Sequence, residues 1–472
     1  MTRAIVKFLA GLVVTLVVVI SIARFAFPLP EVENRDDTEA LLPTTQGPLA
    51  DALARQEESH AGQTGVAPLQ NGADAFAARI LLADAAVSSI DAQYYIWHDD
   101  LTGTLLLGAL RRAAERGVRV RLLLDDNGTS GLDPELATLD AHPMIEVRLW
   151  NPFNLRRFKM LSYGFDFFRL NRRMHNKSFT VDGHATILGG RNIGDEYFAT
   201  GPTALYVDLD VLAVGRVVND VSSDFDRYWR AGAVHPAGPI IGAARWTSVQ
   251  LVSDDPIKGE GAVAWEDLLA SRLADAVGEI KTRFDGVSPY FVPGKAGVEA
   301  FAMLEGQGVQ VRMLTNSLDA TDVLPVHAGY AKRRKDLLRS GVQLYELRQQ
   351  AAVDAPIDRL GPFGTSGASL HAKTFAVDGA RIFVGSFNFD PRSTTLNTEM
   401  GLLIDSERMA QGLHDAFDAD LRGLAWRVEL DDGPLIWIDP QKETVTTDEP
   451  GTSLARRMAL MVIGWLPIEW LL

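Results

Sequence analysis

The sequence predicts an α/β protein of two similar lobes. Each lobe is a mixed sheet flanked by helices, the two are related by a pseudo-two-fold axis, and an N-terminal transmembrane helix precedes them. Three observations predict this. First, the chain repeats itself at an offset of about 190 to 200 residues. GVRVRLLLDDN (Gly117 to Asn127) matches GVQVRMLTNSL (Gly308 to Leu318), IEVRLW (Ile145 to Trp150) matches GVQLYEL (Gly341 to Leu347), and MHNKSFTVDG (Met174 to Gly183) matches LHAKTFAVDG (Leu370 to Gly379). Copies in one register indicate duplication. Second, each copy alternates amphipathic stretches with β-branched runs, as where ALRRAAERG leads into VRVRLLL and glycine closes the helix. Third, the chain opens with an apolar run that approaches the length needed to cross ~30 Å of hydrocarbon.

That run is Phe8 to Ala23, FLAGLVVTLVVVISIA. No small-x-small cleavage site precedes Pro28, so residues 1–28 read as an uncleaved anchor rather than a signal peptide. Arg3 and Lys7 precede the span, while Glu31, Glu33, Asp36, Asp37 and Glu39 follow it beyond Arg24. The positive-inside rule then puts the N-terminus in the cytoplasm and the body outside it. Residues 29–70, rich in Pro, Gly, Ala and acids, read as a linker. The first lobe is assigned to 71–235, an inter-lobe connection to 236–262, the second lobe to 263–430, and a C-terminal extension with an apolar tail to 431–472. The tail, MALMVIGWLPIEWLL from Met458 to Leu472, is too short to span, and its two tryptophans suit a membrane interface. The alternative is a segment docked on the body.

Composition narrows the function. With 472 residues the chain exceeds one average domain. The absence of cysteine excludes disulfide scaffolds, thiol catalysis and Cys-ligated zinc. A net charge of −15 disfavours sequence-independent binding to a polyanion, so no nucleic-acid partner is expected.

The chemistry lies in a motif that occurs twice with identical spacing. The first lobe supplies His175, Lys177, Asp182, Gly189, Gly190 and Asn192; the second supplies His371, Lys373, Asp378, Gly385, Ser386 and Asn388. On a strand, His175 and Lys177 share a face, as do His371 and Lys373. Lys177, Lys373, Asn192 and Asn388 are candidate phosphate ligands, and the glycines let backbone approach an anion closely. Two such cradles would set two imidazoles on opposite sides of one phosphorus. One histidine could attack while the other protonates the leaving alcohol. Lysine and asparagine would carry the electrostatic role of a divalent ion, so neither metal nor cofactor is called for.

These paired HKD motifs resemble those of the phospholipase D superfamily. The resemblance covers about residues 71 to 430 and narrows to bacterial cardiolipin synthases of the C type. It is carried by DAQYYIWHDD, RVRLLLDDNG, RLNRRMHNKSFTVDG, GGRNIGDEYF, SDDPIKGEG, LTNSLDATDV, VHAGYAKRRK, SLHAKTFAVDG, GSFNFDPRSTTLNTEMG and the terminal LPIEWLL. It implies a phosphatidyltransferase that moves a phosphatidyl group from phosphatidylglycerol or phosphatidylethanolamine to phosphatidylglycerol through a phosphohistidine. Hydrolysis of phospholipid to phosphatidic acid is the alternative, with a phosphodiesterase or nuclease behind it. The resemblance makes His175 the nucleophile and His371 the acid and base, with Asp182 and Asp378 as the motif aspartates of the catalytic set. Glu399 matches the family's histidine-orienting carboxylate, and alignment puts Asp208 opposite it. The implied partners are phospholipids and the membrane, with a small partner protein left open. The implied location is the bacterial inner membrane with the body in the periplasm.

Softer features remain. Arg156, Arg157, Lys159, Arg169, Arg172 and Arg173 interleave with Phe153, Phe158, Tyr163, Phe165, Phe167 and Phe168, a pattern suited to anionic lipid or to a helix with a buried aromatic face. KRRK (Lys332 to Lys335) reads as a solvated helix face, and Tyr94, Tyr95 and Trp97 read as strand residues.

Overall fold

Where a β-branched run follows a glycine-closed helix, a parallel strand forms, and both halves of the chain do this in the same order. The computed structural model describes residues 2–29, 38–198, 206–230, 245–259, 261, 263–348, 369–419, 421–431, 433–439 and 444–472. The first sheet has eight strands, in the order Ile145–Trp150, Arg119–Gly128, Ser89–Ile96, Ser178–Val181, Ala185–Gly189, Asp210–Gly215, Thr64–Leu69 and Arg245–Thr247. The second has ten, in the order Val249–Ser253, Met400–Asp405, Arg381–Gly385, Thr374–Val377, Arg283–Val287, Gln310–Asn316, Gln343–Leu347, Ala425–Leu430, Leu435–Asp439 and Thr444–Thr446. The motif hairpins Ser178–Gly189 and Thr374–Gly385 occupy equivalent central places, each beside three parallel strands.

Three boundaries differ from the sequence reading. Residues 48–69 are not linker: Pro48–Ser59 is a helix, and Thr64–Leu69 pairs antiparallel with Asp210–Gly215. Gly65 and Pro68 disguise the strand in the sequence. Its second neighbour reaches only Thr64–Val66, so one edge is open at Pro68, where proline is tolerated. Of the expected connection, residues 236–244 lie outside the described residues. The remainder is sheet: Arg245–Thr247 belongs to the first and Val249–Ser253 to the second, so the chain changes sheets at Ser248. The second lobe does not stop at 430, because Leu435–Asp439 and Thr444–Thr446 extend its sheet.

Each lobe has its own apolar core. A third cluster joins them, with Leu188, Leu209 and Val211 of the first lobe against Leu370, Val384 and Leu402 of the second. The helix Thr2–Ala26 lies outside these cores and packs on the helix Lys159–Leu170. Its side chains are described from Ala10 onward, and among the described residues no helix is long and apolar enough to cross a membrane.

Duplication also left a matched pair of buried charges. Asp91 sits in register with Arg121, and Asp285 with Arg312, on adjacent parallel strands of the two sheets. Asp285 has further partners in Arg283 and His414, whereas Asp91 depends on Arg121. Arg121→Met, which strands a buried carboxylate, is therefore expected to cost about 3–5 kcal/mol. Arg312→Met should cost clearly less, and urea unfolding of the two variants checks the order.

Candidate active site

The two motif histidines enter the lobe interface at equivalent points. Met174 bridges Thr398, and Leu370 pairs with Val207, each across the interface. The His175 amide donates to the Thr398 carbonyl at 2.9 Å, and the Thr398 amide donates to the Arg173 carbonyl at 3.0 Å. The next residue on each partner segment is a carboxylate. His175 Nδ1 consequently lies 2.9 Å from Glu399 Oε2, and His371 Nδ1 lies 2.5 Å from Asp208 Oδ2. The pairs are crossed: each lobe's carboxylate holds the other lobe's histidine. With Nδ1 donating to a carboxylate, Nε2 of each ring is left for chemistry.

The two halves are not interchangeable. A Cβ at Gly190 would fall 2.1 Å from Asp208 Oδ1, so only glycine admits that carboxylate. The anion that this glycine lets in is thus the orienting aspartate. Ser386 holds the corresponding place in the second lobe and donates to Glu399 Oε2 at 2.5 Å.

The electrostatics differ accordingly. Burial would raise Asp208, but His371, Lys373 and Arg191 hold it at about 2. Burial pushes Glu399 up to about 7, against Lys177, Ser386 and Lys258. Burial and the charges of Lys177, Lys373 and His371 hold His175 well below the usual imidazole range. Burial and Lys373 also lower His371, but Asp208 opposes them. Both lysines are buried and lowered by burial, with Glu399 and Asp208 opposing. Lys177 Nζ donates to the His175 carbonyl at 2.5 Å, while Lys373 Nζ donates to the His371 carbonyl and lies 3.3 Å from His371 Nε2. Tyr95 packs edge-on to His175, and Tyr197 and Tyr206 pack on His371, with centroids 5.0, 5.2 and 5.1 Å away.

Asp182 and Asp378 are not at this site. Each follows the strand that carries its lysine outward, at about 3.3 Å per residue, and so lies about 16 Å along the chain from Lys177 or Lys373. Both have φ near 50° in a hairpin turn. Asp182 Oδ1 accepts from the Ser88 and Ser89 amides, and Asp378 accepts from those of Lys281, Thr282 and Arg283. They tie the motif hairpin to the start of the neighbouring strand. Short polar side chains are the residues that tolerate such a left-handed turn.

Asn192 accepts from the Ile96 amide at 3.1 Å and donates to the Tyr197 hydroxyl at 3.0 Å, which leaves one amide hydrogen for a phosphate. Asn388 keeps a buried carbonyl oxygen without a hydrogen-bond partner.

Sequence reasoning quoted SDDPIKGEG but gave it no task. In the fold it wedges between the lobes behind Glu399. Asp254 Oδ2 accepts from the Glu399 amide at 3.0 Å and from Lys258 Nζ at 2.7 Å, and Lys258 also donates to the Ser393 carbonyl at 2.8 Å. A lysine four residues after an aspartate was the available signal, but its target is distant in sequence.

The basic-aromatic stretch does not offer its charges outward. Arg173 pairs with Asp125, Arg156 and Lys159 with Asp126, and Arg169 with Asp166, while Arg172 bonds the carbonyls of Lys258 and Gly261. The Arg157 side chain lies outside the described residues. KRRK is not a solvated face either. Lys332 and Arg333 hold Leu466 and Glu469, Arg334 is buried between Glu346 and Glu449, and Lys335 bonds the Gly433 carbonyl. Among the described residues, His98, Asp100 and Glu196 come within mutual reach of one ion, but Asp100 already accepts from the Gly103 and Asp195 amides.

Two facing HKD hairpins around a shared histidine pair define a phospholipase D-like protein. A family model described as cardiolipin synthase, PLD-like domain, matches residues 80–229 and 273–421. Cardiolipin synthase C of Escherichia coli strain K12 is 47% identical over 90% of this chain and 99% of its own. A cardiolipin synthase of Listeria monocytogenes serotype 4b strain CLIP80459 is 28% identical over 84% of this chain and 75% of its own. In fold, the crystal structure of phosphatidylserine synthase from Haemophilus influenzae Rd KW20 superposes with a TM-score of 0.57 at 14% identity, covering 89% of this chain and all of that one. The chain belongs to the cardiolipin synthase family of phospholipase D-like proteins.

Two outcomes are expected from this geometry. Asp182→Asn and Asp378→Asn should lower the melting temperature while leaving turnover within about tenfold, far from the loss of about 100-fold or more that accompanies removal of a general acid or base. Turnover should rise as Glu399 loses its proton near pH 7, because only the carboxylate accepts from His175 Nδ1. Glu399→Gln should flatten that limb of the pH profile at a lower plateau.

Proposed function

We propose that the chain is a phosphatidyltransferase that makes cardiolipin, with His175 as nucleophile and His371 as general acid and base. The observation that carries the role assignment is the unequal pair of carboxylates. Asp208, held at about 2, is ionised at every physiological pH and sits against His371, where it stabilises an imidazolium. His175, beside a carboxylate near 7 and between two lysines, is held neutral. A neutral imidazole attacks; a charged one donates a proton.

His175 Nε2 attacks phosphorus of the donor lipid. The bond from phosphorus to the headgroup alcohol breaks, and His371 Nε2 gives that oxygen its proton. Lys177 and Lys373 hold the phosphoryl oxygens in a site shielded from water, where their charge counts for most. The headgroup alcohol leaves, and a glycerol hydroxyl of phosphatidylglycerol takes its place. His371 removes the hydroxyl proton, the oxygen attacks phosphorus, the phosphorus–nitrogen bond breaks, and cardiolipin departs. Water in place of the glycerol would give phosphatidic acid, and burial of both histidines favours the larger alcohol. The donor is phosphatidylglycerol or phosphatidylethanolamine.

The substrates place the protein at a membrane. The helix Thr2–Ala26 is its anchor, with the N-terminus cytoplasmic and the body in the periplasm. Leu12, Val13, Val14, Leu16, Val17 and Val18 are all exposed, although they point to every side of the helix. An all-round apolar helix needs an apolar solvent.

The first test is a product assay by mass spectrometry, in chelator, with phosphatidylglycerol alone and then with phosphatidylethanolamine added. Cardiolipin is expected; phosphatidic acid alone would move the assignment to a hydrolase. A second test separates the histidines. With a donor whose headgroup is p-nitrophenol, which leaves without protonation, His371→Ala should still release a burst of p-nitrophenol and trap a phosphohistidine. His175→Ala should show neither, and the reverse pattern would exchange the roles.

A further inference from the structure

Two helices of the body are mounted with their polar sides inward. In Lys159–Leu170 the buried positions include Ser162 and Asp166, while Met160, Leu161 and Phe168 are exposed, Met160 and Phe168 at 79% and 75%. Ser162 accepts from the Leu155 amide, and Asp166 takes Arg169 and Arg24, so the polar groups are satisfied inside. The C-terminal helix Leu454–Gly464 repeats the arrangement. Arg456 bonds the Thr321 carbonyl, Arg457 pairs with Asp448, and Glu469 beyond the helix pairs with Arg333. Its outward side carries Leu454, Met458, Met461, Val462 and Trp465 at helical spacing, with Trp465 86% exposed, and Trp470 follows. A helix of a water-facing protein does the opposite.

These surfaces are contiguous. The N-terminal helix packs on Lys159–Leu170, with Phe27 against Phe165. Arg392 then clasps the end of that helix to the C-terminus: its guanidinium donates to Asn171 Oδ1 and to the Asn171 carbonyl at 2.9 Å each, and its amide donates to the Leu472 carbonyl at 2.8 Å. Arg392 itself follows Asn388 and Asp390 of the second motif and lies six residues before Asn397, beside Glu399.

We infer that Lys159–Leu170 and the C-terminal segment Leu454–Leu472 form one face that inserts into the interfacial layer of a phospholipid bilayer, sinking Trp465 and Trp470 among the acyl chains. The inference rests on the membrane reading above and adds the surface and its depth. A bilayer is the occupant, rather than a protein, because the face runs on into a helix that is apolar on every side, which a protein partner would cover on one side only. Tryptophan at the rim and cations holding the segment from behind match the chemistry of the interface. The clasp at Arg392 makes the docked face continuous with the residues around Glu399.

The test reads depth at the indoles, independently of turnover. Full-length protein is reconstituted into phosphatidylglycerol–phosphatidylcholine vesicles with and without acyl-chain-brominated lipid, which quenches nearby tryptophan. Trp465→Phe/Trp470→Phe keeps the face apolar and removes only the reporters; the other seven tryptophans of the nine remain. Quenching is expected in the wild type and should fall about twofold or more in the double variant, since interfacial tryptophans lie within reach of the chains. Equal quenching in the two proteins, with both still bound to vesicles, would overturn the inference and leave the anchor standing. Protein that does not float with vesicles at all would overturn the membrane reading with it.

Discussion

The crossed histidine–carboxylate pairs are the constraint on which the rest depends. Glu399 holds His175 and Asp208 holds His371, so neither lobe carries a working histidine alone. The lobes must dock in one register, and the Met174–Thr398 bridge and the Leu370–Val207 pairing supply it directly beside the site. The apolar cluster shared by the lobes then makes that docking as permanent as the cores on either side of it.

Duplication alone would give two equal half-sites, and two equal histidines could not divide attack from proton donation. The departure from symmetry is small and local. One half uses the shorter Asp208, admitted by Gly190; the other uses the longer Glu399, bonded by Ser386 and backed by Asp254 and Lys258. Arg191 and Lys373 keep the aspartate ionised, while burial keeps the glutamate near neutrality. A few substitutions around two carboxylates thus give the two imidazoles opposite tasks.

The acidic balance of the chain and its basic patches are reconciled in the same way. Arginines and lysines that look available in the sequence are spent as internal struts, on Asp125, Asp126 and Asp166 and on the C-terminal segment. The surface they leave is apolar, and it lies where the N-terminal helix, the C-terminus and Arg392 meet. An enzyme whose substrates never leave a bilayer has use for that arrangement.

By itself the sequence determined the α/β layering, the repeat, the two HKD motifs and both orienting carboxylates, because each rests on local periodicity or on a motif read against its own copy. It could not show the crossing of the pairs, since His175 and Glu399 are 224 positions apart and nothing local links them. Nor did it show that Asp182 and Asp378 leave the site: they share the motif's spacing, but a strand runs straight, and only its direction in the sheet shows which end meets the phosphate. The strand at Thr64–Leu69 was hidden by Gly65 and Pro68, whose local preferences the neighbouring strand overrides. Tertiary structure decided these points because each depends on which groups are brought together from distant parts of the chain, and proximity in space sets a side chain's partner, its charge and its exposure to water or lipid.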